Sequence, residues 1–499
     1  MQYVSTRGAA PALNFADVLL VGVATDGGLY VPESVPPLPA DWDRPRPYAE
    51  LATEVMWPYL GEGFIERDHF AAMVADAYAG FEHPDVVPVR QIEPGLHLAE
   101  LFWGPTLAFK DLALQLVGRL FEYELARRGE RVTVIGATSG DTGSAAIEAL
   151  RDRDAVDCVI LHPHGRVSEV QRRQMTTVDA TNVTNLAVEG TFDDCQDLVK
   201  AMFADVEFRQ RMRLSAVNSI NFARILAQIV YYVSSTAALR QAGYAAATTP
   251  VSFVVPTGNF GNVYAGHLAR RAGLPISRLL VASNANDILT RFFTTATMAT
   301  TEVCPTLSPS MDIQVSSNLE RVLWELLGER GEDVDNLLRR FRAQGRVSVQ
   351  AHELARLQET YAAYRADDDA CLELMARYHQ RHGLLVDPHT AVALSAAEQH
   401  GYDADHPLIV LSTAHPAKFA DAVQRATGVT PALPPRLADL LQRPERYRVV
   451  ANDLITVEAL VDEAATAGLV AGSHPPPGNR LGLHVGSGQA GGRTEEVGS

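Results

Sequence analysis

The middle of the chain alternates short, nearly continuous apolar runs with stretches in which apolar residues recur every three or four positions. Arg131-Val132-Thr133-Val134-Ile135-Gly136 reads as a strand, followed by a polar turn and a helix from about Thr142 to Arg151. Asp157 to His162 and Val183 to Val188 read as further strands. The run Pro250 to Pro256 is the most continuously apolar and leads into a helix from about Gly261 to Ala272. Arg278 to Ser283 and Pro407 to Ser412 add two more strands. Strand–helix alternation with apolar strands predicts an α/β fold with a parallel sheet covered on both faces. In such sheets ligands sit beyond the carboxyl ends of the strands, where polar turns enter helices.

Lys110 opens a well-marked helix. Leu112, Leu116, Val117, Leu120, Phe121 and Leu125 predict one apolar stripe, Arg127 and Arg128 favour its C-terminus, and Gly129 supplies the stop. Residues 1–95, with a proline-rich stretch from Pro32 to Pro47, read as a mostly helical N-terminal domain. Residues 96–450 read as a core of two α/β subdomains, interrupted near 319–382 by a helical insertion. Residues 451–466 read as a C-terminal helix and 467–499 as a disordered tail without chemistry. No internal repeat is visible.

Composition narrows the function classes. Of 499 residues, 47% are apolar and 21% charged, an ordinary globular balance. The formal charge of −17 argues against nucleic acid or an anionic membrane as main partner, while a local basic pocket still permits an anionic small substrate. No apolar run approaches ~18 residues, which predicts no membrane span. The N-terminus lacks a basic-then-apolar leader. Cys158, Cys195, Cys304 and Cys371 lie far apart, as expected of reduced thiols in a cytoplasmic protein. His162 and His164 have no companions at ligand spacing, so no metal site is expected.

Three stretches carry candidate chemistry. In Gly104-Pro105-Thr106-Leu107-Ala108-Phe109-Lys110-Asp111 a lysine follows apolar residues at a helix start, where desolvation disfavours its charge and frees the amine as nucleophile and base. Asp111 reads as a first-turn carboxylate favoured by the helix dipole. The turn Thr257-Gly258-Asn259-Phe260-Gly261-Asn262 either merely joins strand to helix or brings backbone N–H groups to a phosphate. It has no P-loop or dinucleotide-binding spacing. The turn Ser139-Gly140-Asp141-Thr142-Gly143 either caps its helix through Asp141 or Thr142, or receives a substrate carboxylate. Asn221 and Arg224, three apart on one helix, suit an anion or a simple cap. Thr413 follows a strand end where its hydroxyl would meet a ring nitrogen; His415 and Lys418 are open between a second phosphate and capping. A reactive amine beside two anion-accepting turns suggests a phosphorylated aldehyde held as a Schiff base, as pyridoxal 5′-phosphate is.

Together these stretches resemble the threonine synthase family, pyridoxal-phosphate enzymes of fold type II, related to the tryptophan synthase β chain. The resemblance spans roughly residues 1–465 and also includes Ala24-Thr25-Asp26-Gly27-Gly28-Leu29-Tyr30-Val31-Pro32, Gly165-Arg166-Val167-Ser168, Gln171 to Thr177, Asn218 to Asn221, Pro309 to Ile313 and Asp387 to Val392. It implies a two-subdomain fold type II core behind a helical N-terminal domain. It also implies that Lys110 is the Schiff-base lysine and catalytic residue, and that Gly258, Asn259, Phe260, Gly261 and Asn262 cradle the cofactor phosphate. Asp141 falls near the cofactor 3′-oxygen and Thr413 near the pyridine nitrogen. Ser139, Thr142, Asn221, Arg224 and Lys418 are the candidates for substrate contacts. The implied reaction, the last step of threonine biosynthesis, turns O-phospho-L-homoserine and water into L-threonine and phosphate in a monomer or small homo-oligomer. Another lyase on the same fold, a threonine or serine dehydratase or a phospho-amino-acid lyase, is the alternative. Trp103 stands where the family often has histidine.

Overall fold

A computed structural model describes residues 1–216 and 218–471. Two sheets dominate it. One has six strands in the order Val89–Glu93 at an edge, Leu96–Glu100, Leu408–Ser412, Val251–Pro256, Ile276–Ser283 and Tyr361–Arg365. All its pairings are parallel except the first, a hairpin between Val89–Glu93 and Leu96–Glu100. The other sheet has five parallel strands, ordered Leu214–Ser215, Val132–Ala137, Val156–Pro163, Val183–Glu189 and Arg448–Ala451. The predicted strands lie in these sheets, because runs such as Val251–Pro256 and Val156–Pro163 are buried along their whole length.

Three expectations change. Val89–Glu93, placed by sequence in the N-terminal domain, is an edge strand of the large sheet, so that domain ends earlier than residue 95. The stretch 319–382 contains four helices but also Tyr361–Arg365, which pairs with Ile276–Ser283 and so belongs to the core. An edge strand needs only one good apolar face, and Tyr-Ala-Ala-Tyr-Arg has no β-branched residue to mark it as a strand. The C-terminal helix runs from Leu454 to Ala471; the remainder of the expected tail lies outside the described residues.

The Lys110–Arg128 helix carries more than one apolar stripe. Its first nine residues are all buried, and it packs so tightly on the Asp141–Leu150 helix that a Cβ on Gly118 would come within 2.3 Å of the Ala149 carbonyl oxygen. Gly129 ends it in the left-handed conformation, φ 66°. The helix Phe222–Gln241 is long and apolar enough to cross a membrane, yet it lies almost wholly inside the core and carries buried Arg224 and Gln228. Its polar residues interrupt the apolar run, so scanning for continuous apolar stretches passes over it. The four cysteines are unpaired.

Candidate active site

Parallel strands deliver the candidate residues to one place. The turn after Val132–Ala137 carries Ser139 to Thr142, the turn after Val251–Pro256 carries Gly258 to Phe260, and Thr413 directly follows Leu408–Ser412. These turns, Lys110 and Arg224 line a cavity of about 530 Å³ between the two sheets. Lys110 reaches it because the preceding loop is stitched to the Thr413 segment. Phe109 N–H donates to the Thr413 carbonyl at 2.9 Å, and His415 N–H donates to the Leu107 carbonyl at 3.0 Å. Asp111 completes the anchor: its carboxylate accepts from the Thr106 N–H and hydroxyl, both at 2.7 Å. Burial outweighs those bonds and pushes its pKa up to about 6. Asp111 therefore fastens the loop, a larger task than the dipole role expected of it.

The Lys110 amine is buried above the Phe109 ring, 4.9 Å from its centroid, and 3.2 Å from Asp141 Oδ2. Burial lowers its pKa; Asp141 opposes this, and the nearby cations Lys418 and Arg224 reinforce it. The other Asp141 oxygen receives Lys418 Nζ at 2.9 Å and Gln171 Nε2 at 2.8 Å. Burial works against the Asp141 charge, but Lys110 and Lys418 overcome it and hold the carboxyl well below its usual range. Asp141 is thus not the helix cap, one of the two readings its turn left open. The N-cap position is Gly140, at φ 139°, and a Cβ there would meet the Gln171 amide at 2.5 Å. Thr138 Oγ1 ties the turn by accepting from Gly140 N–H and Gly143 N–H, both at 2.9 Å. Ser139 and Thr142 line the cavity from this turn.

The second turn is a nest of donors. Phe260 sits in the left-handed region, φ 63°, stacked on Phe293 at 5.9 Å. Among the described residues no protein acceptor engages the backbone N–H groups of Gly258 through Asn262. The Asn262 side-chain oxygen accepts from Tyr231 and Tyr232, leaving its buried Nδ2 without a partner among the described residues. Gly258 must be glycine, since a Cβ would come within 2.4 Å of the Ser310 carbonyl oxygen. Successive free N–H groups at a helix N-terminus form a receptor for a phosphate.

Arg224 supplies a separate anion receptor. It is buried in the first turn of its helix, and its Nε and Nη1 have no partner among the described residues. Burial pushes its pKa down to about 10. Its neighbour Asn221 turns out to be a cap: Oδ1 accepts from Ala223 N–H at 2.9 Å and Nδ2 donates to the Leu19 carbonyl at 2.8 Å, away from the cavity lining. Lys418 is also absent from the lining, held instead by Asp141 and by the Thr106 carbonyl at 2.7 Å. His415 caps a short helix through Ala417 N–H and packs on Phe102. Thr413 lines the cavity, with no hydrogen bond from its hydroxyl to a described residue. Trp103 lies outside the lining, donating to Glu100 at 3.0 Å.

A pyridoxal-phosphate dependent enzyme model matches residues 96–414, a threonine synthase N-terminus model 2–78 and a threonine synthase C-terminal model 390–461. The threonine synthase of Pseudomonas aeruginosa is 50% identical across 94% of this chain and 99% of its own. The chain belongs to the threonine synthase family. The Schizosaccharomyces pombe threonine synthase is 42% identical, over 85% of this chain and 89% of its own. Among solved structures, the PLP-bound threonine synthase from Brucella melitensis superposes with a TM-score of 0.89 at 46% identity, covering 93% and 99% of the two chains. The fold is therefore fold type II. Sequence reasoning about sites passed over two residues within quoted motifs, Gln171 and His389. His389 lines the cavity, its Nδ1 on Asp387 at 2.7 Å and its Nε2 accepting from Ser310 N–H at 3.3 Å. The Asp387-Pro388-His389 spacing was the available signal, an aspartate able to orient an imidazole.

Proposed function

We propose that this chain is a threonine synthase, converting O-phospho-L-homoserine and water to L-threonine and phosphate with pyridoxal 5′-phosphate as cofactor. One observation carries the reading: a desolvated lysine opens into the same cavity as two distinct anion receptors, the Gly258–Asn262 nest and the unpaired Arg224 guanidinium. The nest suits the cofactor phosphate and Lys110 holds the cofactor covalently as a Schiff base. The bound cofactor supplies a ring that withdraws electrons from the carbon skeleton of an attached amino acid. Thr413 would offer a neutral hydroxyl to the ring nitrogen, and Asp141, beside Lys110, would serve the ring oxygen.

Freed from the cofactor, Lys110 takes the Cα proton of the substrate as a neutral amine and then moves protons at Cβ. Its burial and neighbouring cations support that role by weakening its hold on its own proton. Arg224 grips the leaving phosphate through charge-assisted bonds. The Ser139–Thr142 turn receives the substrate carboxylate through its two hydroxyls and the N–H groups of Ser139, Asp141 and Thr142, which have no acceptor among the described residues. The unpaired thiols support a reducing, cytoplasmic setting. Incubation with phosphohomoserine should yield threonine and phosphate in equal amounts. Borohydride reduction should trap the cofactor on the Lys110 peptide, and Lys110→Ala should abolish both label and turnover. Release of 2-oxobutyrate in place of threonine, or turnover by the alanine variant, would refute the reading.

A further inference from the structure

Only three of the 43 basic residues are lysines: Lys110, Lys200 and Lys418. Two of these converge on one carboxylate. Lys418 is buried, its Nζ 2.9 Å from Asp141 Oδ1 and 2.7 Å from the Thr106 carbonyl, which also accepts from Gln174 at 3.0 Å. In a chain that uses arginine almost everywhere else, two of the three ammonium groups are thus enclosed against one carboxylate.

We propose that Lys418 is a positioning residue whose charge keeps Asp141 ionised while Lys110 gives up and regains its proton. This rests on the reading of Lys110 as the cofactor-holding base. Suppose Asp141 faced Lys110 alone. Each time Lys110 became neutral, a buried carboxylate would be left unpaired, a strongly unfavourable state. The proton would then stay on Lys110 or pass to Asp141, and the base would be lost. With Lys418 on the other oxygen, Asp141 stays paired whatever Lys110 carries, and the second cation also weakens the hold of Lys110 on its proton.

The surrounding charges are few. Asp141 faces Lys110, Lys418 and the neutral Gln171, with His389 acting from the Pro388–His400 helix. Lys110 also feels Arg224 from the Phe222–Gln241 helix. Lys418 acts on Asp111 in the Lys110 helix and on His415 in its own segment. Of these only Lys418 touches the Asp141 oxygen remote from Lys110 as a cation.

The test uses the holoenzyme and the variants Lys418→Gln, Lys418→Met and Lys418→Arg. Glutamine keeps a donor for Thr106 and Asp141 without charge, so it separates charge from hydrogen bonding where the methionine variant fails to fold. The pH midpoint of the cofactor absorbance band is followed beside the Lys110 signal in ¹³Cε-lysine NMR, which a three-lysine chain resolves. Loss of the charge should raise the midpoint by on the order of 1 pH unit, with the acid limb of kcat moving alongside. The arginine variant should titrate closer to the wild type than the glutamine variant does. Titration of Lys418→Gln together with the wild type, with borohydride still trapping Lys110, overturns this inference alone. A trapped label on another lysine overturns the Lys110 reading and this inference with it.

Discussion

Replacing Arg224 by methionine should make the free protein more stable and the enzyme far worse. The side chain is buried, two of its nitrogens lack partners among the described residues, and burial pushes its pKa down to about 10. Against the ordinary value of 12.5, keeping it charged costs the unliganded protein on the order of 3 kcal/mol. Methionine has a similar reach and no charge, and recovering part of that cost should raise Tm by about 2–4 °C. Function moves the other way. Two charge-assisted hydrogen bonds to phosphate are each worth about 1.5–3 kcal/mol, so kcat/KM for phosphohomoserine should fall by roughly 10²–10⁴-fold. Melts with added inorganic phosphate link the two effects, since a ligand that binds only the folded state raises Tm with its concentration. Wild type should gain protection and Arg224→Met should not. A variant that melts lower than wild type, keeps its kcat/KM and is still protected by phosphate would refute the assignment.

Gly258→Ala should weaken cofactor binding by at least about tenfold, because its Cβ would press to 2.4 Å on the Ser310 carbonyl oxygen and shift the nest; cofactor titration of the apoprotein checks this. His162 is buried with both ring nitrogens unpartnered among the described residues, and burial pushes its pKa down to about 4. A depressed folded pKa gives stability that is complete above the ordinary value of 6.5 and is lost as pH falls toward 4, by up to about 3 kcal/mol. His162→Leu should remove that loss, so its Tm advantage over wild type should grow between pH 7 and pH 5. A constant difference across that range would rule the mechanism out.

Much of the site was legible because its chemistry is local. Lys110 stands out through Leu107, Ala108 and Phe109, which precede it at a helix start, and the Gly258–Asn262 turn through glycines after an apolar strand. Those features act over a few residues, and sequence reports them directly. Asn221, Lys418 and His415 stay open in sequence between holding an anion and capping, for a common reason. Each has the right chemistry in the right segment, but its direction depends on a remote partner: the Leu19 carbonyl, Asp141 and Phe102 respectively. The edge strands Val89–Glu93 and Tyr361–Arg365 were missed because pairing with one neighbour requires no run of β-branched residues.

By itself, then, the sequence determined that parallel strands would carry polar turns at their carboxyl ends, and that one lysine would sit dry at a helix start. Apolar periodicity and turn chemistry encode both within a few residues. Only the tertiary structure decided that Asp141 is held between two lysines, that Arg224 Nε and Nη1 meet no partner among the described residues, and that Lys418 lies behind the cavity wall. Charge balance in a buried cluster is set by distances among residues hundreds of positions apart, and a linear pattern does not contain those distances.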